Sequence, residues 1–295
     1  MTKHILITGA NKGIGLATTS AVLQQRADTH VLLGSRDRSR GEAAIEQLCQ
    51  QNPQWRSRLQ LVELDVASDE SVTAARDALA NHSSDNSPSL YALVNNAGVG
   101  FGSNDVAAVI NVNVLGVKRV CDAFIPLLHK DGRIVNVSSA SGPNFVSQCS
   151  TSAQNFFTNP QVSWEELSDL MDAAIRHQED PQELQQMGLG ELSAYGFSKA
   201  CVSLYTMLLA RSNPDLTINA CTPGYIETDL TRPAAEMRGM SPADLGMKSP
   251  EHGTVAILHL LFGQLHGSGH YYGSDGKRSP MDRYRAPGDP EYMGP

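Results

Sequence analysis

Short apolar runs rich in β-branched residues alternate with longer segments of helical spacing through the first part of the chain. The pairs of run and segment are His4–Thr8 with Ile14–Gln25, His30–Leu33 with Arg40–Gln51, and Leu59–Leu64 with Glu70–Ala80. This rhythm is typical of βαβ units, in which each helix crosses back over a parallel sheet. The chain is therefore predicted to be an α/β protein with a doubly wound parallel sheet and helices on both faces.

The alternation continues to about residue 140 and resumes near the carboxyl end. The further predicted elements are strands at Tyr91–Val94, Arg133–Val137, Leu216–Cys221 and Gly269–Tyr272, and helices at Asn113–Leu128, Ala194–Arg211 and Glu251–Phe262. Residues 141–193 interrupt the rhythm and are predicted to be a helical insertion, because Trp164–His177 carries apolar residues at helical spacing. Asn81–Ser89 is a predicted polar loop, and the tail at 273–295 is predicted to be irregular and to wrap the surface.

Composition disfavours partners that bind through bulk charge. Acidic residues outnumber basic ones by 31 to 23, and the resulting net charge of −8 at pH 7 argues against nucleic acid and anionic membranes as partners. The apolar runs fall far short of the roughly 18 residues that span a bilayer, and the amino terminus lacks a secretory signal pattern. The five cysteines are scattered without a C-x-x-C pair, so no metal site is predicted and a reducing, cytoplasmic location is expected.

A glycine-rich turn joins the first predicted strand to the first predicted helix. It reads Thr8-Gly9-Ala10-Asn11-Lys12-Gly13-Ile14-Gly15. Glycines allow a sharp turn and the close approach of a pyrophosphate, whose charge then lies at the amino end of the helix. A tight turn without a ligand is the alternative, but the position between strand and helix favours a dinucleotide site in a Rossmann-like sheet.

The end of the second predicted strand indicates which nicotinamide cofactor binds. A carboxylate about 20 residues past the glycines usually recognises the ribose of NAD, but Ser35 and Arg36 stand there, and Asp37 is placed to cap the next helix. Lys12, Arg36 and Arg40 instead suit a 2′-phosphate, to which Arg36 offers a bidentate fork. Each cation taken alone could be a solvated surface charge, whereas together they predict NADP(H).

Tyr195 and Lys199 lie four positions apart on a predicted helix, so their side chains share one face. A phenol is a good general acid at neutral pH only if its pKa falls well below the usual value of about 10. The Lys199 ammonium, together with an oxidised nicotinamide, is expected to lower the pKa of Tyr195 in this way. A half-buried aromatic residue beside a surface lysine is the alternative for the pair alone.

Further motifs accompany this pair in order along the chain. They are Thr8–Gly15, Asn95-Asn96-Ala97-Gly98, Asn113, Ser138-Ser139 and Pro223-Gly224. Together with Tyr195 and Lys199, they resemble the short-chain dehydrogenase/reductase family over nearly the whole chain. The resemblance implies a single Rossmann-like domain over residues 1–295, enlarged by the helical insertion before the tyrosine helix and by the tail.

The resemblance also implies a role for each matching position. Ser139, the second serine of its pair, would hydrogen-bond the substrate carbonyl, Tyr195 would donate the proton, and Lys199 would bind the nicotinamide ribose and tune Tyr195. Asn113 would hold a water that links Lys199 to solvent. The other implied cofactor contacts are Asp65 and Val66 at adenine, Asn95, Ala97 and Gly98 along the cleft, and Pro223, Gly224, Ile226 and Thr228 near the nicotinamide carboxamide. Asp65 could instead cap a helix, and Pro223-Gly224 could be a plain turn.

The insertion between Ser139 and Tyr195 points to one branch of the family. Together with Asn11–Ala17 and Ser35-Arg36-Asp37, it resembles the monomeric, NADPH-dependent carbonyl reductases. In that branch the insertion covers the surface through which other members form tetramers. Trp164–His177 is therefore the predicted cover, and a monomer is expected.

Other segments bear on the substrate. Residues 226–249, with Met237, Met240 and Met247, are predicted to form a mobile lid, where methionines suit varied apolar substrates or simply fill gaps. The tail and the short segment between Gly98 and Asn113 depart from the branch, so they leave the substrate undefined.

These patterns predict an NADPH-dependent enzyme that reduces an aldehyde or ketone, a small-molecule carbonyl substrate, with Tyr195 as proton donor. The alternative enzyme is an NAD(P)-dependent alcohol or hydroxysteroid dehydrogenase that works oxidatively. The alternative from another class is a regulator that senses NADP(H) without turnover. Such a regulator has little need of Ser139, Tyr195, Lys199 and Asn113 together.

Overall fold

The computed structural model describes residues 2–81, 90–101 and 103–294, which form one sheet of eight strands. The strands are β1 (Lys3–Ile7), β2 (Thr29–Ser35), β3 (Leu59–Glu63), β4 (Leu90–Asn95), β5 (Leu128–Val137), β6 (Thr217–Cys221), β7 (Tyr271–Tyr272) and β8 (Arg278–Ser279). Their order across the sheet is β3-β2-β1-β4-β5-β6-β7-β8. Neighbouring strands are parallel except for β7 and β8. The predicted doubly wound parallel sheet is confirmed.

Helices connect the strands and cover both faces of the sheet. They are α1 (Gly13–Gln25), α2 (Arg38–Gln51), α3 (Asp69–Asn81), α4 (Val106–Ile110), α5 (Gly116–Phe124), α6 (Ser141–Val146), α7 (Thr151–Thr158), α8 (Trp164–Arg176), α9 (Pro181–Gln186), α10 (Ala194–Ser212), α11 (Arg232–Met237) and α12 (Thr254–Phe262). None of the helices in the described ranges has the length and apolar character that a bilayer crossing requires. Of the predicted polar loop Asn81–Ser89, Asn81 ends α3 and residues 82–89 lie outside the described residues.

The two faces of the sheet have separate buried cores, because successive side chains of a strand point to opposite faces. Leu6 of β1 belongs to a cluster with Val120 of α5 and Leu204 of α10. Its neighbour Ile5 belongs to the other cluster, with Val22 of α1. Most residues of β1, β2, β4 and β6 are buried, as their near-continuous apolar sequences indicate.

The helical segment after β4 differs from its prediction at both ends. It begins before Asn113, because the Asp105 carboxylate accepts a hydrogen bond from the Ala108 amide at 2.9 Å and caps α4. Its α-helical part ends at Phe124, earlier than predicted, because Pro126 has no amide hydrogen with which to continue the helical hydrogen bonds. A 3₁₀ turn at Ile125–Leu127 then leads into β5, which begins at Leu128.

The insertion forms α6 to α9 and shares a buried cluster with the sheet. The predicted helix Trp164–His177 is present as α8, with a capping box between Ser163 and Glu166. Leu167, Met171 and Ala174 form its buried face. The insertion is thus a packed helical layer rather than a loop.

The tail beyond β7 adds a strand that the sequence pattern did not predict. Tyr271 of β7 pairs with Ser279 of β8, and a strand of two residues is too short to carry a periodicity. Arg285, whose side chain is only 6% exposed, forms an ion pair with Asp275 and donates from Nε to the Ser279 hydroxyl at 2.9 Å. Burial opposes ionisation of Asp275, but the Arg285 guanidinium and the Gly288 amide hold its pKa below the usual range.

The Arg285–Asp275 pair is expected to stabilise the tail measurably. Arg285→Met should lower the free energy of unfolding by about 3 kcal/mol, because it leaves the Asp275 carboxylate largely buried without its partner. The matched control is Arg283→Met, since Arg283 is 59% exposed and its pair with Asp282 lies at the surface; its expected loss is about 0.5 kcal/mol or less. Urea denaturation measures both, and equal losses would contradict the assignment.

Candidate active site

The turn between β1 and α1 presents backbone amides at the carboxyl edge of the sheet. Gly9 and Gly13 adopt φ angles of 62° and 56°, a region that favours glycine. Lys12 precedes α1 and makes no side-chain capping bond to the helix amides. The amino end of α1 is thus an anion-binding end. A Cβ on Gly15 would lie 2.6 Å from both the Asn96 side-chain nitrogen and the Gly9 carbonyl oxygen, so only glycine fits there.

Hydrogen bonds join this turn to the segment after β4. The Thr8 hydroxyl accepts from the backbone amides of Asn96 and Ala97, each at 3.0 Å. In return, the Asn96 side chain donates to the carbonyls of Thr8 at 2.9 Å and Gly9 at 3.2 Å. Sequence reasoning missed this role of Asn96, although the residue lies inside the Asn-Asn-Ala-Gly motif that signalled the region.

A cleft of about 480 Å³ runs along this edge. The predicted cofactor residues that line it are Gly9, Asn11, Lys12, Gly13, Ile14, Arg36, Arg40, Asp65, Val66, Ala97, Gly98 and Thr228. Residues from β1, β2, β3 and β4 therefore meet where parallel strands end, as expected for a doubly wound sheet.

Asn95 does not fit its predicted place in the cleft. Its side chain is 3% exposed, and its amide donates to the Asn136 side-chain oxygen at 2.8 Å and to the Cys121 sulfur at 3.2 Å. The prediction that Asn95 lines the cleft is wrong, because strand alternation turns this side chain toward Cys121 of α5, in the core between the sheet and that helix.

The segment after β6 reaches the cleft through Thr228. Pro223 and Ile226 are buried, and Gly224 adopts φ 92° against Ser274 of the tail. Thr228 lines the cleft beside Gly13. This segment therefore faces the glycine turn across the cleft, although only Thr228 of its predicted residues lines the opening.

The predicted cations lie along one side of the cleft with unequal surroundings. Arg36 is exposed at the end of β2. Asp37 caps α2 as predicted, accepting from the Arg40 amide at 2.8 Å, and its carboxylate lies 3.4 Å from the Arg40 guanidinium. That amide and guanidinium lower the pKa of Asp37. Lys12 is paired with Asp229 at 2.7 Å, a partner that sequence spacing did not suggest.

Asp65 lines the cleft and does not cap a helix. Its carboxylate accepts from the Ala67 amide at 3.0 Å, within a turn. Ser68 instead accepts from the Ser71 amide at the start of α3. The alternative that Asp65 caps a helix is therefore excluded, whereas its contact with adenine stays a prediction.

Helix α10 brings Tyr195 and Lys199 to the carboxyl end of β5. Lys199 is 4% exposed, and its ammonium donates to the Val137 carbonyl at 2.8 Å. The same nitrogen lies 5.6 Å from the centre of the Tyr195 ring. Phe101, which sequence reasoning missed, packs edge-on against this ring at 5.5 Å between ring centres. The predicted pairing of Tyr195 with Lys199 on one helix face is confirmed in position.

The two serines after β5 have different surroundings. The Ser138 hydroxyl is buried, donates to the Lys199 carbonyl at 2.9 Å and lies 2.9 Å from the Ser203 hydroxyl. Ser139 is only partly buried, and its hydroxyl accepts from the Ser141 amide at 3.2 Å and neighbours the Tyr195 phenol. This arrangement supports Ser139 as the serine that faces a substrate, with Ser138 holding α10 against the sheet.

Burial sets the pKa values of the pair in opposite directions. It raises the pKa of Tyr195 to about 12, with only partial compensation from the neighbouring Ser139 hydroxyl, and it lowers the pKa of Lys199 to about 8. In the protein without cofactor, desolvation of the phenolate outweighs the favourable neighbours, and the lower pKa expected with an oxidised nicotinamide bound stays a prediction. Tyr195 is therefore a protonated phenol at neutral pH, the form that can donate a proton.

Asn113 holds the segment that follows β4. It lies in a π-helical turn, Asn111–Leu115, between α4 and α5. Its side-chain oxygen accepts from the Val99 amide at 2.9 Å, and its nitrogen donates to the Val99 carbonyl and to the Ser198 hydroxyl, each at 3.0 Å. Asn113 thereby fixes the backbone beside Gly98, where a Cβ would lie 3.6 Å from the Lys199 ammonium.

Comparisons with known proteins agree with this geometry. A sequence-family profile described as short chain dehydrogenase matches residues 3–153. Carbonyl reductase (NADPH) 3 of Rattus norvegicus is 32% identical over 268 residues, covering 86% of this chain and 89% of that protein. Salutaridine reductase from Papaver somniferum has a TM-score of 0.74 at 24% identity, covering 92% of this chain and 99% of that chain. A carbonyl reductase from chicken fatty liver with NADPH bound has a TM-score of 0.64 at 21% identity, with coverages of 94% and 98%.

The buried Lys199 ammonium is expected to make stability depend on pH. Its pKa is about 8 in the folded protein against an ordinary 10.5, so the unfolded chain binds more protons between these values and stability rises with pH there. Relative to Lys199→Met, the wild type should gain roughly 2 kcal/mol in free energy of unfolding between about pH 8 and pH 10. The exposed Lys248 supplies the control: Lys248→Met should keep the wild-type pH dependence in urea denaturation. An identical dependence in all three proteins would refute the burial of a titrating amine.

Proposed function

Because this chain belongs to the short-chain dehydrogenase family and is therefore an oxidoreductase, we propose that it reduces aldehydes or ketones to alcohols with NADPH. The observation that supports this most strongly is the convergence of Ser139, Tyr195 and Lys199 at the carboxyl edge of the sheet. A glycine-rich cleft for a dinucleotide lies beside them. The substrate is a small molecule, and its carbonyl group is the part that these residues recognise.

NADP(H) fits the cleft on chemical grounds. The amino end of α1 and the cations Lys12, Arg36 and Arg40 suit phosphate groups, and no carboxylate stands at the end of β2. Gly9 and Gly15 allow the turn to pack closely against Ala97 and Asn96. The relative in rat and the chicken liver enzyme are both named with NADPH. When bound, this cofactor supplies the hydride for the reduction.

The other cofactor contacts that we propose follow from the positions of the residues along the cleft. Asp65 and Val66 lie near the end of β3, where adenine would bind, and Thr228 lies across from the glycine turn, where the carboxamide would bind. Pro223 and Ile226 of the same segment are buried and anchor it to the protein. Asn113 acts through the backbone of Val99, so its proposed water between Lys199 and solvent would lie beside that backbone.

The chain's own residues perform the proton chemistry. The Tyr195 phenol donates its proton to the oxygen of the carbonyl as negative charge develops there, and the Ser139 hydroxyl hydrogen-bonds the same oxygen. Lys199, held by the Val137 carbonyl, orients the ribose of the cofactor and carries a charge that stabilises the phenolate left behind.

Removal of the Tyr195 hydroxyl is expected to separate binding from chemistry. Tyr195→Phe should lower kcat by about 10²-fold or more, the usual size of a general-acid effect, with the NADPH dissociation constant nearly unchanged. Ser139→Ala should also lower kcat, whereas Ser138→Ala should mainly lower stability, since its hydroxyl bonds within the core. Initial rates and fluorescence titration with NADPH measure these effects. Full activity of Tyr195→Phe would refute the proton-donor role.

Residues 226–249 are proposed to form the lid over the substrate. Met237 and Met240 are exposed there, while Met247 is buried. The Thr231 hydroxyl donates to the Ile226 carbonyl at 2.6 Å, and Ile226 is bridged to Lys248, so both ends of the segment are held together. Exposed methionines adapt to substrates of varied shape.

The insertion is proposed to keep the enlarged single domain monomeric. Trp164 of α8 packs edge-on against Tyr205 of α10 at 5.5 Å, and Lys118 of α5 lies 5.0 Å above the Trp164 ring. The insertion therefore covers helix faces on which another copy could otherwise pack. Light scattering at micromolar concentration should give the mass of one chain, 31.8 kDa; a tetramer would contradict the proposal.

A further inference from the structure

An ion pair crosses the mouth of the cleft. The Lys12 ammonium in the glycine turn lies 2.7 Å from the Asp229 carboxylate in the segment after β6, although the two residues are 217 positions apart. Both line the cleft. The pair therefore joins the two walls between which a dinucleotide would enter.

Asp229 divides its two oxygens between two cations. One oxygen faces Lys12, and the other lies 3.0 Å from the Arg232 guanidinium. Hydrogen bonding and charge from Lys12, followed by the contact with Arg232, lower the pKa of Asp229, so the group is ionised at neutral pH. Glu227, in the same segment, bonds to Arg232 at 3.4 Å.

Stability does not explain this pair. Both side chains are 57% exposed, and exposed ion pairs contribute little to folding. A carboxylate and a phosphate monoester present the same chemistry to an ammonium, namely anionic oxygens. Asp229 thus occupies the position on Lys12 that an incoming phosphate would take.

We propose that Asp229 is a resident counter-ion for Lys12 that a cofactor phosphate must displace, so that Asp229 sets cofactor affinity and selectivity. The inference rests on the proposed NADPH function of the cleft. Displacement costs part of the energy that the phosphate gains, so the wild type binds NADPH less tightly than the cations alone would allow. Asp229 also offers Lys12 a partner when the oxidised cofactor leaves, which favours release.

The test compares two neighbouring acidic residues in the full-length protein. Asp229→Asn frees Lys12, while Glu227→Gln removes the same charge from the same segment without touching Lys12. NADPH and NADH dissociation constants are measured by fluorescence titration at low salt, without any carbonyl substrate, so the result does not depend on turnover. Asp229→Asn should tighten NADPH binding about twofold to fivefold, the size of one exposed charge contact, and Glu227→Gln should change it less.

A second pair of proteins, with and without Asp229→Asn in a Lys12→Met background, shows whether the effect of Asp229→Asn on NADPH affinity acts through Lys12. In that background Asp229→Asn should have no further effect, since the cation that it frees is gone. A gain for NADPH alone supports the inference and places Lys12 at the 2′-phosphate. Equal gains for NADPH and NADH would overturn the effect of Asp229 on selectivity and place Lys12 at the pyrophosphate, against the proposed cofactor contacts. Equal effects of Asp229→Asn and Glu227→Gln, or a gain that persists without Lys12, would overturn it.

Discussion

The hydrogen bond from the Lys199 ammonium to the Val137 carbonyl anchors the site to the fold. Val137 is the last residue of β5, so this bond fixes the start of α10, and Tyr195 with it, against the carboxyl end of the sheet. A buried amine is costly unless its donors are used, and the bond supplies a partner where the strand has ended. Ser138 strengthens the same contact by donating to the backbone of Lys199. The catalytic geometry therefore depends on a polar contact buried between sheet and helix.

Much of this arrangement could be predicted from local sequence, because βαβ units repeat one pattern. The alternation located β1 to β6 and α10 to within a few residues, and the glycine spacing indicated the turn at Gly9–Gly15. Whatever depends on burial or long-range contact could not be predicted in this way. A sequence does not reveal the desolvation that raises the pKa of Tyr195 in the protein without cofactor, and Asn95 turned inward because its place depends on the strand register. β8 and the Lys12–Asp229 pair join residues that no local spacing relates.

Charge in the cleft is local and partly compensated by the chain itself. The net charge of −8 belongs to the whole molecule, whereas Lys12, Arg36 and Arg40 gather at one edge of the sheet. Two of these cations already have acidic partners, Asp229 and Asp37, while Arg36 is exposed at the end of β2. Under the proposed displacement of Asp229, recognition of a phosphate here is a competition between the cofactor and the protein's own carboxylates.

Reduction of carbonyl groups with NADPH is the activity that we propose for this site. The most direct measurement follows NADPH absorbance in the presence of a panel of aldehydes and ketones, with NADH run in parallel. We expect carbonyl-dependent oxidation of NADPH with a kcat/KM well above that obtained with NADH. NADPH that binds without being oxidised by any carbonyl compound in the panel, or oxidation that proceeds equally well with NADH, would contradict it.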